Sequence, residues 1–216
     1  VRHATCAVLL LFAAAAAATQ AIPLASPDGN LRVTLMQGED GGLSYRVDYK
    51  GKPVILPSRL GVALSDGTDL SRGFAAIRPE HVLRDETNLV WKPPYGERAI
   101  VSDHFRELGF GVEHHAVPDA AVMFVFRAYN AGIAFRYAVP APLRLRASIT
   151  NELTEFTFTG DHRAWPVYFA QGEYKPETLS TVKKGAERPL TVETTEGPVA
   201  AIGEAALIDF ARIKFA

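Results

Sequence analysis

The alternation of apolar and polar positions sets the first expectation. Leu43, Tyr45, Val47 and Tyr49 alternate with Ser44, Arg46, Asp48 and Lys50, which places the large apolar side chains on one face of a half-buried strand. Leu31, Val33 and Leu35 alternate in the same way with Arg32 and Thr34, and Gly51-Lys52 turns the chain into Pro53–Leu56. The run Val122-Met123-Phe124-Val125-Phe126 is apolar on both parities and predicts an interior strand covered on both sides. Asn130-Ala131-Gly132 then supplies a short hairpin loop with a residue of positive φ, followed by Ile133, Phe135 and Tyr137 in alternation. Arg127 and Arg136 flank that hairpin and are expected to pair with carboxylates. Further strands are expected at 147–159, 164–169, 190–195 and 199–202. The segment Glu204–Arg212 is ambiguous: its Ala and Leu content favours a short helix, while the strands before it favour β or irregular structure. Punctuation by Asp, Gly, Asn and Pro at short intervals and near-absence of helical periodicity predict an all-β fold, a large antiparallel sandwich.

The first 21 residues change the picture. Arg2 and His3 precede an apolar run from Ala7 to Ala18, and Thr19-Gln20-Ala21 offers a small-residue cleavage position, the layout of a secretory signal. The run is shorter than the roughly 20 apolar residues that span a bilayer. A cleaved leader over 1–21 and an exported domain over 22–216, periplasmic or secreted, are therefore expected. The one cysteine, Cys6, lies in the leader, so the mature chain has no thiol and neither a Cys-based zinc site nor a Cys nucleophile. A formal charge of −1 with both signs dispersed provides no basic face for nucleic acid or an anionic membrane, and neither is expected as a partner. The ending Ile213-Lys214-Phe215-Ala216 has no polar tail and reads as an end within an element, so the sandwich is expected to be incomplete at its C-terminus.

Candidate chemistry is sparse. There is no nucleophile elbow, phosphate-binding glycine loop or metalloprotease helix. His114 and His115 point to opposite faces of a strand and are expected as surface and edge histidines. Asp103-His104-Phe105-Arg106-Glu107 has acid/base character, but a salt-bridged rim is the commoner outcome for such a cluster. Glu152 and Glu155 are three apart, which separates them on a strand, and they make a weak pair for glycoside hydrolysis. Trp91, Tyr95, Trp165 and Tyr168 could stack on a sugar ring or pack in a β core.

Taken together, several stretches resemble the N-terminal domain of glycoside hydrolase family 97, the exported bacterial α-glucosidases and α-galactosidases. In order they are Ser26-Pro27-Asp28-Gly29, Pro57-Ser58-Arg59-Leu60-Gly61, Trp91 followed by Tyr95-Gly96-Glu97, and His104-Phe105-Arg106-Glu107-Leu108. The hairpin from Phe126 to Tyr137, Glu152-Leu153-Thr154-Glu155-Phe156 and Glu204-Ala205-Ala206-Leu207 complete the set. The resemblance implies a galactose-mutarotase-like sandwich ahead of a (β/α)8 barrel that carries the catalytic carboxylates, so no catalytic residue is expected in this chain. It also implies a calcium ion to which the sandwich lends one glutamate, Glu204 by position, most ligands coming from the barrel. The expected partners are that barrel and an oligosaccharide substrate. Two other readings stand beside it. One is a free-standing mutarotase-like epimerase pairing His104, His114 or His115 with Glu155 or Glu173. The other is a periplasmic carbohydrate-binding domain with Trp91, Tyr95 and Trp165 exposed in a row.

Overall fold

The computed structural model describes residues 20–115, 117–138, 147–208 and 210–215, and for 117–120 the backbone alone. The leader expected over 1–21 lies outside the described residues except for Gln20 and Ala21, which begin β1 (Gln20–Ala25). β1 pairs antiparallel with β2 (Leu31–Gln37), β2 with β3 (Leu43–Tyr49), and β3 with β4 (Lys52–Arg59). The β3–β4 loop is Lys50-Gly51, both with positive φ (50° and 78°), which matches the right-handed twist of the flanking strands.

The second four-stranded sheet runs β6 (Leu83–Trp91), β7 (Val101–His114), β8 (Val117–Tyr129) and β9 (Gly132–Ala138), each antiparallel to the next. Between the two sheets lies a continuous core. Leu24, Val33, Leu35 and Tyr45 from the first sheet meet Leu108, Phe110, Phe124 and Phe126 from the second. Stripping such side chains of water is the main favourable term in folding, about 25 cal/mol per Å² of apolar surface. β5 (Val62–Leu64) pairs with β10 (Ile149–Glu152). A third sheet, in the order β12 (Glu177–Thr178), β11 (Arg163–Trp165), β14 (Leu190–Glu193) and β15 (Val199–Ile202), adds Ala164, Leu190 and Val192 to the same core. Finally β13 (Ala186–Glu187) pairs with β16 (Lys214–Phe215). Among the described residues there is no α-helix, and no helix is long and apolar enough to cross a membrane.

Several expectations need correction. β8 is interior to its sheet but covered on one face: Val122, Phe124 and Phe126 are buried, whereas Met123 and Val125 are half-buried. The β8–β9 loop is Asn130-Ala131, with Tyr129 paired to Gly132, so Gly132 is a strand residue and none of the three has positive φ. Arg127 pairs with Glu107 at 2.6 Å as expected, whereas Arg136 has no ion pair among the described residues. The strand expected over 147–159 is confined to β10, because 153–158 follows a bulged β4 irregularly, through bonds such as Leu153 N–H to Gly61 O (2.8 Å) and Glu155 N–H to Arg59 O (2.9 Å). No helix forms in the described part of 204–212, where Ala206 has a φ of 53° that a right-handed helix excludes.

Candidate functional site

Glu204 lies two residues beyond the edge strand β15, after Gly203, and its side chain is 18% exposed. Its Oε2 is held by the Arg188 guanidinium (Nε, 3.0 Å) and by the Ile213 N–H (2.9 Å). Among the described residues its other oxygen, Oε1, makes no hydrogen bond. The carboxylate is thus oriented by one oxygen and open at the other.

Arg188 also reaches Glu187 (3.3 Å), whose second oxygen meets Arg212 (3.2 Å) and Lys214 (3.1 Å). The β13–β16 register places Glu187 opposite Lys214, so the last strand and the segment before it close around one buried acid. Three cations face two carboxylates here. This network was not visible in the sequence, because its members become neighbours only through that non-local pairing. Beside it Val167, Phe169, Gln171, Tyr174, Arg188 and Arg212 line a concavity of about 300 Å³, with Phe169 and Tyr174 largely exposed at its rim. Gln171 has a φ of 65°, a left-handed conformation uncommon for a side chain of its kind.

Lys214, donating a hydrogen bond, holds the Glu187 carboxyl below its ordinary value of 4.5, with Arg212 and Arg188 adding to the effect. A depressed folded-state value means that the stabilisation is complete above the unfolded-state value, near 4.5, and is lost as pH falls through the lower folded value. Glu187→Gln is therefore expected to lower the urea midpoint at neutral pH, and the gap to the native chain should close on acidification below pH 4.5. Urea melts across that range check this; a gap that widens on acidification would contradict it.

Calcium takes about six to eight hard oxygen ligands. Among the described residues no three His, Cys, Asp or Glu side chains converge, and Arg188 stands between Glu204 and Glu187. The donors present fit one ligand of a shared ion, not a cage within this chain.

The remaining candidates are dispersed. His114 is buried rather than at the surface, edge-on to Phe74 with Nε2 2.6 Å from Arg72 O, because it continues the inward-facing parity of Leu108, Phe110 and Val112 along β7. His115 is exposed beside it, and both line a shallow groove with Asp66, Asp69 and Arg72. His104 and Arg106 both pair with Glu86 (3.0 and 3.1 Å), and Glu107 with Arg127, the salt-bridged rim that was expected. Glu155 is paired with Arg59 (2.8 Å), Glu173 with Lys175 (3.2 Å), and Glu152 accepts from Thr154 (2.9 Å). His104, His114, Glu155 and Glu173 of the epimerase reading are thus each engaged with a different neighbour, and His115 is exposed. Trp91 and Tyr95 are exposed, whereas Trp165 is half-buried in the third sheet and donates to Glu193 (2.9 Å), so the three do not form one row. Tyr168 donates to Glu177 (2.9 Å) in that same region.

The fold agrees with what comparison with known proteins finds. The glycosyl-hydrolase 97 N-terminal family profile matches residues 24–216. A retaining α-galactosidase of Bacteroides thetaiotaomicron is 27% identical over 150 residues, which is 69% of this chain and 21% of that protein. Two solved structures of a glycoside hydrolase family 97 enzyme from Pseudoalteromonas sp., an arginine-to-lysine variant and an acarbose complex, are each 30% identical. Their TM-scores are 0.79 and 0.76, covering 89% of this chain and 30% of theirs. The chain therefore spans 21% of the curated relative's length and 30% of the solved ones. An all-β sandwich matched along nearly its whole described length by that profile belongs to the glycoside hydrolase 97 N-terminal family.

Proposed function

We propose that this chain is the non-catalytic N-terminal sandwich of an exported, exo-acting, calcium-dependent α-glycosidase, an α-glucosidase or α-galactosidase acting on oligosaccharides. The observation that carries the reading is coverage: the structural match spans 89% of this chain but 30% of the family enzyme it matches. Bond cleavage then belongs to a (β/α)8 barrel in the same polypeptide. The sandwich packs on that barrel through the concavity beside Glu204 and closes one side of the sugar pocket, as domain interfaces commonly do. Cleavage of the leader over 1–21 places the mature enzyme in the periplasm or outside the cell.

Within this reading Glu204 lends Oε1 to a calcium ion completed by barrel residues. Arg188 and the Ile213 N–H hold the opposite oxygen and fix where the free one points. When bound, the ion would supply a hard positive charge for sugar oxygens. Calcium titration of the polypeptide encoded by the uninterrupted reading frame tests this. Glu204→Gln is expected to weaken calcium binding by roughly 10–100-fold, the scale seen when metal-site support is lost. The 216-residue chain alone should bind only weakly. Unchanged affinity in the variant, or tight stoichiometric binding by the short chain, would overturn the assignment.

A further inference from the structure

β7 is longer than the sheet that holds it. β8 pairs with β7 from Phe105 onward, whereas β6 continues to pair with it through Asn88↔His104, Leu89↔Asp103, Val90↔Ser102 and Trp91↔Val101. These four pairs and the loop beyond them form a two-stranded arm projecting past the end of β8. Its base is fixed: Arg84 donates to Pro23 O (3.0 Å), and Arg106 donates to Ser26 O (3.2 Å) while pairing with Glu86. Its outer half exposes large apolar side chains, with Leu89, Val90 and Trp91 each more than half exposed, Ile100 55% and Tyr95 88% exposed, alongside the charged Lys92, Glu97 and Arg98 of the loop. Leu89 and Trp91 share one face and Val90 the other.

A lone hairpin of this kind is marginal in water, and an exposed apolar edge is a hazard that proteins blunt with charge, proline or cover. The base of β6 is blunted by Arg84, Asp85 and Glu86, but Asn88–Trp91 carries no charge. Lys92, Pro93 and Pro94 follow, and the proline pair stops the strand from running further along this edge. The exposed Trp91 and Tyr95 are side chains of the aromatic kind that anchors interfaces.

We propose that this arm clasps the catalytic region of its own polypeptide, seating Leu89, Trp91 and Tyr95 in an apolar cleft there. The inference rests on the reading above that the chain is one domain of a longer glycosidase. The length outside it favours this occupant over a second copy: 70% of each solved family enzyme lies beyond the part this chain covers.

Hydrogen exchange of the 216-residue chain and of the longer polypeptide, side by side, tests it. Amides of 88–91 and 101–104 are expected to exchange at least about tenfold more slowly in the longer product, the mark of a locally stabilised segment. Leu89→Ser with Trp91→Ser should abolish that difference while leaving the short chain's melting temperature unchanged, since both side chains are exposed there. If 204–212 slows in the longer product and the arm does not, the clasp is wrong and the domain reading survives. If neither slows, both fail. Concentration-dependent slowing of the arm in the short chain would make a second copy the occupant and overturn the proposal.

Discussion

Phe124→Ala is expected to cost about 3–5 kcal/mol, the range for truncating a buried aromatic. Phe124 is 1% exposed and sits at the centre of an aromatic cluster. Phe110 stacks on it at 5.4 Å, and Phe74 and Tyr137 meet it edge-on at 5.7 and 5.3 Å. No single neighbour can move in to fill the space, since each is fixed elsewhere. Tyr137, for example, accepts from Gly61 N–H (3.1 Å) and bonds Thr154 (2.6 Å). The lost transfer energy and the residual cavity therefore add. Against a total stability of about 5–15 kcal/mol for a typical domain, such a variant stands near the limit of folding at all. Urea unfolding of native and variant chains measures the difference. A cost below about 1 kcal/mol would mean that the two sheets do not meet around this residue.

Gly41→Ala is expected to cost about 2–5 kcal/mol although nothing is removed. Gly41 closes the β2–β3 turn at a φ of 73°, where a side chain costs about 1–2 kcal/mol. The added Cβ would also lie 2.3 Å from Phe74 O and 2.7 Å from Phe74 N, so backbone must shift, at about 1–3 kcal/mol. The turn is tied to that neighbour by Gly73 N–H donating to Asp40 O (2.8 Å), so strain at Gly41 passes to Phe74 and into the cluster around Phe124. Gly51 is the internal control. It too has positive φ (78°) but open space around it, and Gly51→Ala should show the conformational cost alone. Equal losses at the two glycines would contradict the close approach of the β2–β3 turn to residues 73–74.

Strands that carry a strict two-residue alternation were legible from side-chain pattern, and β2, β3 and β9 fall where that pattern puts them. The pattern fails where register does. The interrupted β4 ladder breaks the long strand expected over 147–159, while His114, expected at the surface, is buried on the inward-facing parity of Leu108, Phe110 and Val112. The helical alternative for 204–212 rested on propensity, which tertiary context overrides here. Glu204 was legible only through the family resemblance, since an exposed-looking acid after a glycine has no pattern of its own. Its neighbours Arg188, Glu187, Arg212 and Lys214 carry no local signal either, because the β13–β16 pairing that gathers them is a property of the whole fold.

The central claim is that this sandwich belongs to a glycosidase whose chemistry resides in a barrel further along the same polypeptide. The direct test is hydrolysis of aryl α-glucosides and α-galactosides by two purified proteins, the 216-residue chain and the product of the uninterrupted reading frame, with calcium present. The account predicts no turnover by the first and turnover of at least one substrate by the second, lost when calcium is chelated. Hydrolysis by the 216-residue chain, or a reading frame that closes at Ala216, would contradict it.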